Sequence, residues 1–263
     1  ELRARWGDAG NGRWYTMIPE VKNGSIFFHQ LFINGERWQR GRIPNDGFYK
    51  MAGPVNLEGP ATFSFKQDDI KLEWAAMGDV YVIGLAKWAE IIMPIKTVNE
   101  EVFAATLSKQ VSRSNWRNVQ HPRYYLENAP GSVDQPGEWR LEKKYGNLYI
   151  KPKENQSIDQ MIIPALEHLI VLKGNPEAGE FVQNLHFEGF TFSHTIAPHL
   201  DEGYTDMQAA FDISAAFSAN GAIQCRVENC TFKQLGNYAV EFLEGCKEHT
   251  IANNKLFHLG AGG

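Results

Sequence analysis

What the sequence lacks excludes several classes of protein. Cysteine is scarce: Cys225, Cys230 and Cys246 are the three in 263 residues, and their spacing fits neither a CxxC zinc pair nor an even disulfide framework. No apolar run approaches the roughly 18 residues of a membrane-spanning helix. Neither end carries a block of Lys or Arg, and the formal net charge is −5. We therefore expect no membrane span and no nucleic-acid partner.

Sequence motifs for cofactor and acyl-transfer chemistry are missing too. No GxGxxG follows a strand-like run, and there is no Walker loop and no GxSxG nucleophile elbow. Helical periodicity is weak along nearly the whole chain. We expect no cofactor and no bound metal.

What is present points to β-structure. Aromatic residues make up 12% of the chain, and such side chains favour strands. The run Ile26–Ile33 is stopped by Asn34-Gly35, a dipeptide that favours the type I′ turn of a β-hairpin. A second hairpin is expected around Lys143–Gly146. We predict an antiparallel sandwich or barrel-like module over residues 25–154, preceded by a partial first coil or linker over residues 1–24.

An internal repeat begins in the second half of the chain. Residues 185–194, 225–234 and 249–258 align, with steps of 40 residues (185 to 225) and 24 residues (225 to 249). Two apolar columns and one turn column recur: Phe187, Val227 and Ile251; Phe192, Phe232 and Leu256; Gly189, Asn229 and Asn253. Gly236 and Gly260 follow at equal distances. A 24-residue period is one coil of a parallel β-solenoid, and the longer step is one coil plus an insertion. The alternative is an ordinary β-sandwich whose copies agree by chance.

The sequence resembles bacterial carbohydrate-active enzymes of the glycoside hydrolase family 141 kind, which are right-handed parallel β-helix proteins. The element Leu31-Phe32-Ile33-Asn34-Gly35 with Arg37, followed by Arg40 and Arg42-Ile43-Pro44-Asn45, is similar to their LFVNG-R…R-R-PN element. Further segments agree in the same order. They are Asp79–Val82 with Lys87-Trp88, Arg123–Asn128, Pro136–Trp139, Gly146–Tyr149, Glu202–Tyr204, Gln208–Ala210 and His258–Gly263.

The resemblance implies a fold, a location and a substrate class. The fold is all-β: a right-handed parallel β-helix over residues 155–263, truncated at its C-terminal end, with the antiparallel module inserted in the N-terminal half. The resemblance also implies an extracellular or periplasmic protein whose partner is a polysaccharide or oligosaccharide. We expect the chain to be an internal piece of a longer protein, with the catalytic coils either within it or beyond residue 263.

Two carboxylates are candidates for catalysis. Glycosidic bonds are hydrolysed between a pair of carboxyl groups, about 5–5.5 Å apart for retention of configuration. Asp212 and Glu241 each lie between two apolar residues, so strand alternation turns the acid outward. If these strands stack in register, the two carboxylates become neighbours at roughly the 4.8 Å spacing between strands. The alternative is a pair of solvated outward acids.

The insertion supplies the candidate binding residues. Residues 195–207 form a long polar and aromatic loop, which in a solenoid often makes a cleft wall. The candidate set is His199, Asp201, Glu202, Tyr204, Gln208 and His258. His199 with Asp201 or Glu202 has metal-ligand chemistry without a metal-site spacing. His258 shares its repeat column with His194 and Gln234, which also suits a plain polar turn.

Three functions stay open on this sequence. The first is a glycoside hydrolase acting on a complex polysaccharide. The second is a non-enzymatic β-helix scaffold or glycan-binding surface protein. The third is a polysaccharide lyase, which ranks lower because the repeat region is poor in outward Lys and Arg to act as the base.

Overall fold

The fold is all-β and divides into two compact units. The computed structural model describes residues 5–112, 116–198, 200–206 and 208–263. The first unit comprises Glu1–Met161 and His199–Phe211, and the second comprises Ile162–Pro198 and Asp212–Gly263. None of the helices in these ranges has the length and apolar composition needed to cross a bilayer.

The first unit contains most of the strands and two short helices. Its strands are β1 (Gly7–Gly10), β2 (Arg13–Met17), β3 (Leu31–Ile33), β4 (Glu36–Arg40), β5 (Arg42–Ile43), β6 (Tyr49–Lys50), β7 (Thr62–Ser64), β8 (Tyr81–Leu85), β9 (Glu90–Asn99), β10 (Ala104–Leu107), β11 (Arg123–Glu127), β12 (Glu138–Glu142), β13 (Asn147–Ile150), β14 (Met161–Ile162) at the unit boundary, and β19 (Tyr204–Thr205). The helices are α1 (Pro19–Lys22) and α2 (Leu72–Met77).

The second unit is built from short strands and one 3₁₀ turn. Its strands are β15 (Ile170–Lys173), β16 (Val182–Gln183), β17 (His186–Glu188), β18 (Thr191–Ser193), β20 (Ala215–Asn220), β21 (Ala222–Ile223), β22 (Arg226–Glu228), β23 (Thr231–Lys233), β24 (Tyr238–Phe242), β25 (Thr250–Ala252) and β26 (Lys255–Phe257). The 3₁₀ turn is Pro176–Ala178.

One sheet of the first unit runs in the order β1-β2-β13-β12-β4-β3-β14. Both hairpins expected from the sequence are confirmed in it. Asn34 and Gly35 have φ of 50° and 78°, the positive values that a type I′ turn needs, and β12 pairs antiparallel with β13. β2 pairs with β13, so the segment predicted as a coil or linker supplies strands to this sheet.

The other sheet of the first unit runs β5-β11-β8-β9-β10-β7, with β6 added on β11 and β19 on β9. Tyr124 and Leu126 of β11 point into its core with Val82 and Met93, and all four are fully buried. The alternate residues of β11, including Arg123 and Glu127, lie on the opposite face, because side chains alternate along a strand.

Strands of the second unit stack in parallel at the registers that the repeat predicted. Phe187 pairs with Val227 and Val227 with Ile251, while Phe192, Phe232 and Leu256 form the second column. The rings of Phe192 and Phe232 stack with centroids 4.8 Å apart. In the last described coil the same columns are open to solvent, since Ile251 is 52% and Leu256 40% exposed.

Close backbone approach explains one glycine of the repeat. A methyl group at Gly236 would overlap the backbone carbonyl of Ile196, so only glycine fits where these segments meet. The turn column of Gly189, Asn229 and Asn253 has φ of 72°, 55° and 58°, in the left-handed region that Gly and Asn tolerate.

One predicted strand is wrong. Phe211-Asp212-Ile213 was expected to be a strand stacked on Val240-Glu241-Phe242, but residues 211 and 212 form a turn and β20 begins at Ala215. The register is set by the inward side chains, which place Phe217 beside Val240 and Ala219 beside Phe242. The predicted boundaries at residues 24 and 154 stay predictions.

Candidate functional site

Glu241 points outward from β24, as its sequence context predicted. Its neighbours Val240 and Phe242 pack against the buried cluster of the second unit, so Glu241 lies on the opposite face of the strand, half-buried. Its register neighbour on β20 is Ser218, whose own neighbour on β15 is Val171. Asp212 is therefore not the stacked partner of Glu241.

A different pair of carboxylates does stack on adjacent strands. Glu188 of β17 pairs in register with Glu228 of β22. Nε2 of His186 lies 2.9 Å from Glu228, and the Arg226 guanidinium holds Glu228 through two hydrogen bonds of 2.9 and 2.8 Å. These bonds lower the pKa of Glu228, so it stays ionised. Sequence patterning missed the pair because His, Arg and Glu alternate there with single apolar residues, as on any solvated strand.

Three of the predicted binding residues fasten a segment of chain to the first unit. We call residues 200–206 the strap. Asp201 accepts a hydrogen bond from His29 (2.9 Å). The backbone carbonyl of Glu202 accepts one from Ser108 Oγ (3.0 Å), and its carboxylate lies 3.0 Å from Lys109 Nζ. Tyr204 starts β19, which pairs with β9.

The other three predicted binding residues are not part of the strap. His199 lies outside the described residues. Gln208 is exposed, and no hydrogen bond or ion pair of its side chain is found in the described ranges. His258 belongs to the second unit, in a turn with φ of 55°, in the same column as His194 at 65° and Gln234 at 54°. A left-handed turn position accounts for these three residues.

A buried polar network that the sequence analysis missed lies beneath the strap. Arg40 Nη1 donates to His29 Nδ1 over 2.6 Å. An arginine can only donate, so Nδ1 must accept and the proton of the neutral ring sits on Nε2, which donates to Asp201. Burial, and then the charge of Arg40, lower the pKa of His29 to about 4. The imidazole is thus a neutral connector between a cation and a carboxylate.

Arg40 itself is held by aromatic rings and an amide. It is 6% exposed, with its guanidinium 4.8 Å from the ring centroid of Tyr81 and 5.7 Å from that of Trp139. Nε donates to Asn128 Oδ1 over 3.3 Å. Burial raises the pKa of nearby Glu127 to about 7, although Arg40 acts to lower it. Glu127 therefore exchanges its proton near neutral pH.

Asn128 ties this network to both sheets of the first unit. Its Nδ2 donates to the carbonyls of Asp79 and Leu141, each over 2.7 Å, and its Oδ1 accepts from the Leu141 amide over 2.8 Å. The residue is fully buried with φ of 64°. Asp79 and the pair Glu127-Asn128 belong to segments that carried the family resemblance, which was the available signal for them.

An open cavity of about 370 Å³ lies in the second unit. It is lined by Lys173, Gly174, Asn175, Glu180, Phe181 and Val182. Across the described ranges, no three His, Cys, Asp or Glu side chains converge as metal ligands would. The described polar groups around His29 form hydrogen bonds and an ion pair, and Glu241 presents an outward carboxylate.

Comparison with known proteins gives a fold match. No family model matches the chain, and no curated protein matches it. A solved structure named "Glycoside hydrolase" matches with a TM-score of 0.73 at 17% sequence identity, over 98% of this chain and 58% of that chain. The likeness shows that the two share a fold. This chain spans little more than half of the length of that structure.

Proposed function

We propose that this chain is part of a glycoside hydrolase that acts on a complex polysaccharide. The observation that carries the proposal is the shared fold with a structure of that name over 98% of the chain. The family resemblance in the sequence points to the same substrate class independently. A polysaccharide or oligosaccharide is the partner proposed, and an extracellular or periplasmic location goes with it.

The architecture proposed is a right-handed parallel β-helix with an inserted antiparallel module. Parallel pairing of β17, β22 and β25, and of β18, β23 and β26, supports successive stacked coils. The resemblance to glycoside hydrolase family 141 supplies the right hand. The division of the chain into two units supports the insertion.

Glu241 is the catalytic carboxylate we propose within this chain. It faces outward, with Ser218 as its register neighbour on β20. Hydrolysis needs one carboxylic acid to protonate the leaving oxygen and a second carboxylate as nucleophile or base. Asp212 stays a candidate for the second role, although it is not in register with Glu241; otherwise that group comes from coils outside this chain.

The test is hydrolysis of aryl glycosides and polysaccharides by the full-length protein. We expect Glu241→Gln to lower kcat by about a hundredfold or more, the usual contribution of a catalytic acid or base. Glu244→Gln is the matched control, because Glu244 is exposed on the same coil. Asp212→Asn tests the second carboxylate. Unchanged activity in Glu241→Gln would remove Glu241 from the mechanism and leave the hydrolase proposal standing.

A glycan-binding scaffold is the second candidate. The register favours it, because the neighbour of Glu241 on β20 is Ser218. Glu241 therefore has no second carboxyl group beside it on that strand, as a hydrolase would need. A scaffold would bind polysaccharide without cleaving it. A lyase, the third candidate, would release an unsaturated product that absorbs in the ultraviolet, whereas a hydrolase would release reducing ends without that absorbance.

A further inference from the structure

One outward face of the first unit concentrates cations and aromatic rings. It consists of Arg42, Phe48, Lys50, Arg123 and Tyr125, and we call it the arginine–aromatic face. Arg123 and Tyr125 alternate with the core residues of β11, so their side chains share the face away from the core. Lys50 of β6 is the register partner of Arg123. The strap and the polar network described above do not include these residues.

Guanidinium groups and rings alternate across this face. The guanidinium of Arg123 lies 5.0 Å from the ring centroid of Phe48. That of Arg42 lies 5.7 Å from Phe48 and 3.9 Å from Tyr125. Arg42 also donates from Nε to the carbonyl of Pro44 (2.9 Å) and from Nη2 to that of Gly47 (2.6 Å). The loop that presents Phe48 is therefore fixed in place.

Two cations on this face have no ion-pair partner among the described residues. Arg123 and Lys50 are exposed and directly opposite each other across paired strands, an arrangement that is destabilising for like charges. Neither forms an ion pair or a hydrogen bond through its side chain with any described residue. Glu127 and Glu90 lie on the same face, but Glu127 is the register partner of Arg42 and Leu85 lies between Glu90 and Arg123. Neither carboxylate forms an ion pair with Arg123 or Lys50.

We propose that the arginine–aromatic face binds the carboxylate of a uronic-acid residue in an acidic polysaccharide. A carboxylate between Arg123 and Lys50 would neutralise the repulsion, and its planar shape matches the fork of a guanidinium group. Phe48, 41% exposed, offers apolar surface against which the C–H face of the sugar ring packs. The proposal rests on the proposed function only for the polysaccharide nature of the ligand.

The test is calorimetric titration of the chain with a galacturonic-acid pentasaccharide and with a neutral galactose pentasaccharide at low ionic strength. We expect the acidic sugar alone to bind. Arg123→Gln and Lys50→Gln should each weaken binding by about tenfold, the effect of losing one charge-assisted hydrogen bond. Lys96→Gln is the control, because Lys96 is an exposed lysine of the same sheet, and it should change binding less than twofold.

Three results would overturn the inference. They are equal binding of the neutral sugar, unchanged affinity in Arg123→Gln, or tighter binding of a sulfated galactose pentasaccharide than of the uronate. Failure here and failure of the proposed function are distinguishable. Uronate binding without hydrolysis of any glycoside overturns the hydrolase alone, whereas hydrolysis of polysaccharide without uronate binding overturns this face alone.

Discussion

The His29 ring is a buried base kept neutral by its contacts. Its pKa is about 4 in the folded chain and about 6.5 when unfolded. As the pH falls from 6.5 towards 4, His29 is protonated in the unfolded state but stays neutral in the folded state. The free energy of unfolding therefore decreases. The whole effect amounts to about 3 kcal/mol.

We predict that His29→Gln removes this acid-side penalty. Relative to its own stability at pH 7.5, the variant should lose about 3 kcal/mol less than the parent chain at pH 4, measured by urea unfolding. His121→Gln is the control, because His121 is exposed, and it should follow the parent chain. Parallel curves for His29→Gln and the parent would contradict the assignment.

Glu127 acts in the opposite direction. Its pKa is about 7 in the folded chain against about 4.3 unfolded, so the folded state keeps a proton that the unfolded state loses. Stability from this group is present at low pH and is lost as the pH rises through 7. In the parent chain this group lowers the free energy of unfolding by about 3 kcal/mol between pH 4 and pH 8, and we predict that Glu127→Gln abolishes that decrease.

The same urea series tests Glu127, with Glu58→Gln, an exposed glutamate of the same unit, as the control. Between about pH 4.5 and 6.5 the slopes of His29 and Glu127 oppose each other, so the parent chain conceals both. The double variant should stay as flat as the parent chain in that interval, whereas each single variant should reveal the slope of the group that remains. A Glu127→Gln curve that retains the parent's slope above pH 6.5 would show that Glu127 does not hold a proton there.

Sequence patterns revealed some of these residues and not their partners. His29 interrupts an aromatic and branched run, and Arg40 lies in a segment of the family resemblance, but neither pattern indicated a buried polar contact. Asp201 is 172 positions from His29. Nothing local in either segment encodes that contact, because it depends on how the strap returns to the sheet.

At the scale of elements, the stack of parallel strands depends on close contact between coils. We predict that Gly236→Ala destabilises the chain by about 2 kcal/mol or more, since the added methyl group meets the Ile196 backbone and the backbone cannot move aside cheaply. Gly53→Ala is the control, because nothing lies within 4 Å of that position. Equal midpoints of urea unfolding for the two variants would contradict the predicted overlap.

The apolar columns should differ in energetic weight along the stack. Phe232 is fully buried between neighbouring coils, whereas Ile251 in the last described coil is 52% exposed. We predict that Phe232→Ala costs about 3–5 kcal/mol, the range for a buried aromatic residue. Ile251→Ala should cost less than about 1 kcal/mol. Comparable losses for both in denaturant unfolding would mean that the last coil is covered in solution.

The repeat predicted register well because identical columns must align for inward side chains to meet. Phe187, Val227 and Ile251 pair as the alignment required. The same reasoning failed at Asp212, where Phe211 and Ile213 imitate strand alternation inside a turn. Flanking apolar residues alone do not show where a strand begins after an insertion.

For the whole molecule, the strap is the feature that composition and periodicity did not reveal. Abundant aromatic residues predicted an all-β protein, and the internal repeat predicted a second region. The loop predicted as a cleft wall pairs with β9 of the first unit, a contact that the sequence patterns did not indicate. That pairing depends on the glycine at position 203. Gly203 has φ of 98°, and a Cβ atom added there would overlap Met93 Sδ.

We predict that Gly203→Val detaches the strap. The valine would suffer both the left-handed backbone and the contact with Met93, so limited proteolysis should cleave residues 200–206 faster than in the parent chain, and β9 amides should exchange faster. Gly59→Val is the control, because Gly59 also has a positive φ, of 80°, but no atom lies within 4 Å of an added side chain. Equal cleavage in all three chains would show that the strap is held without Gly203.

The strap has a consequence for how the protein is made. Translation delivers residues 1–161 first, then the strands β15 to β18, and only afterwards β19, the strand that completes the second sheet of the first unit. During synthesis, β9 must wait with an unpaired edge and His29 without its acceptor while part of the second unit emerges from the ribosome. The N-terminal unit is therefore started first, but it can be completed only after the synthesis of the second unit has begun.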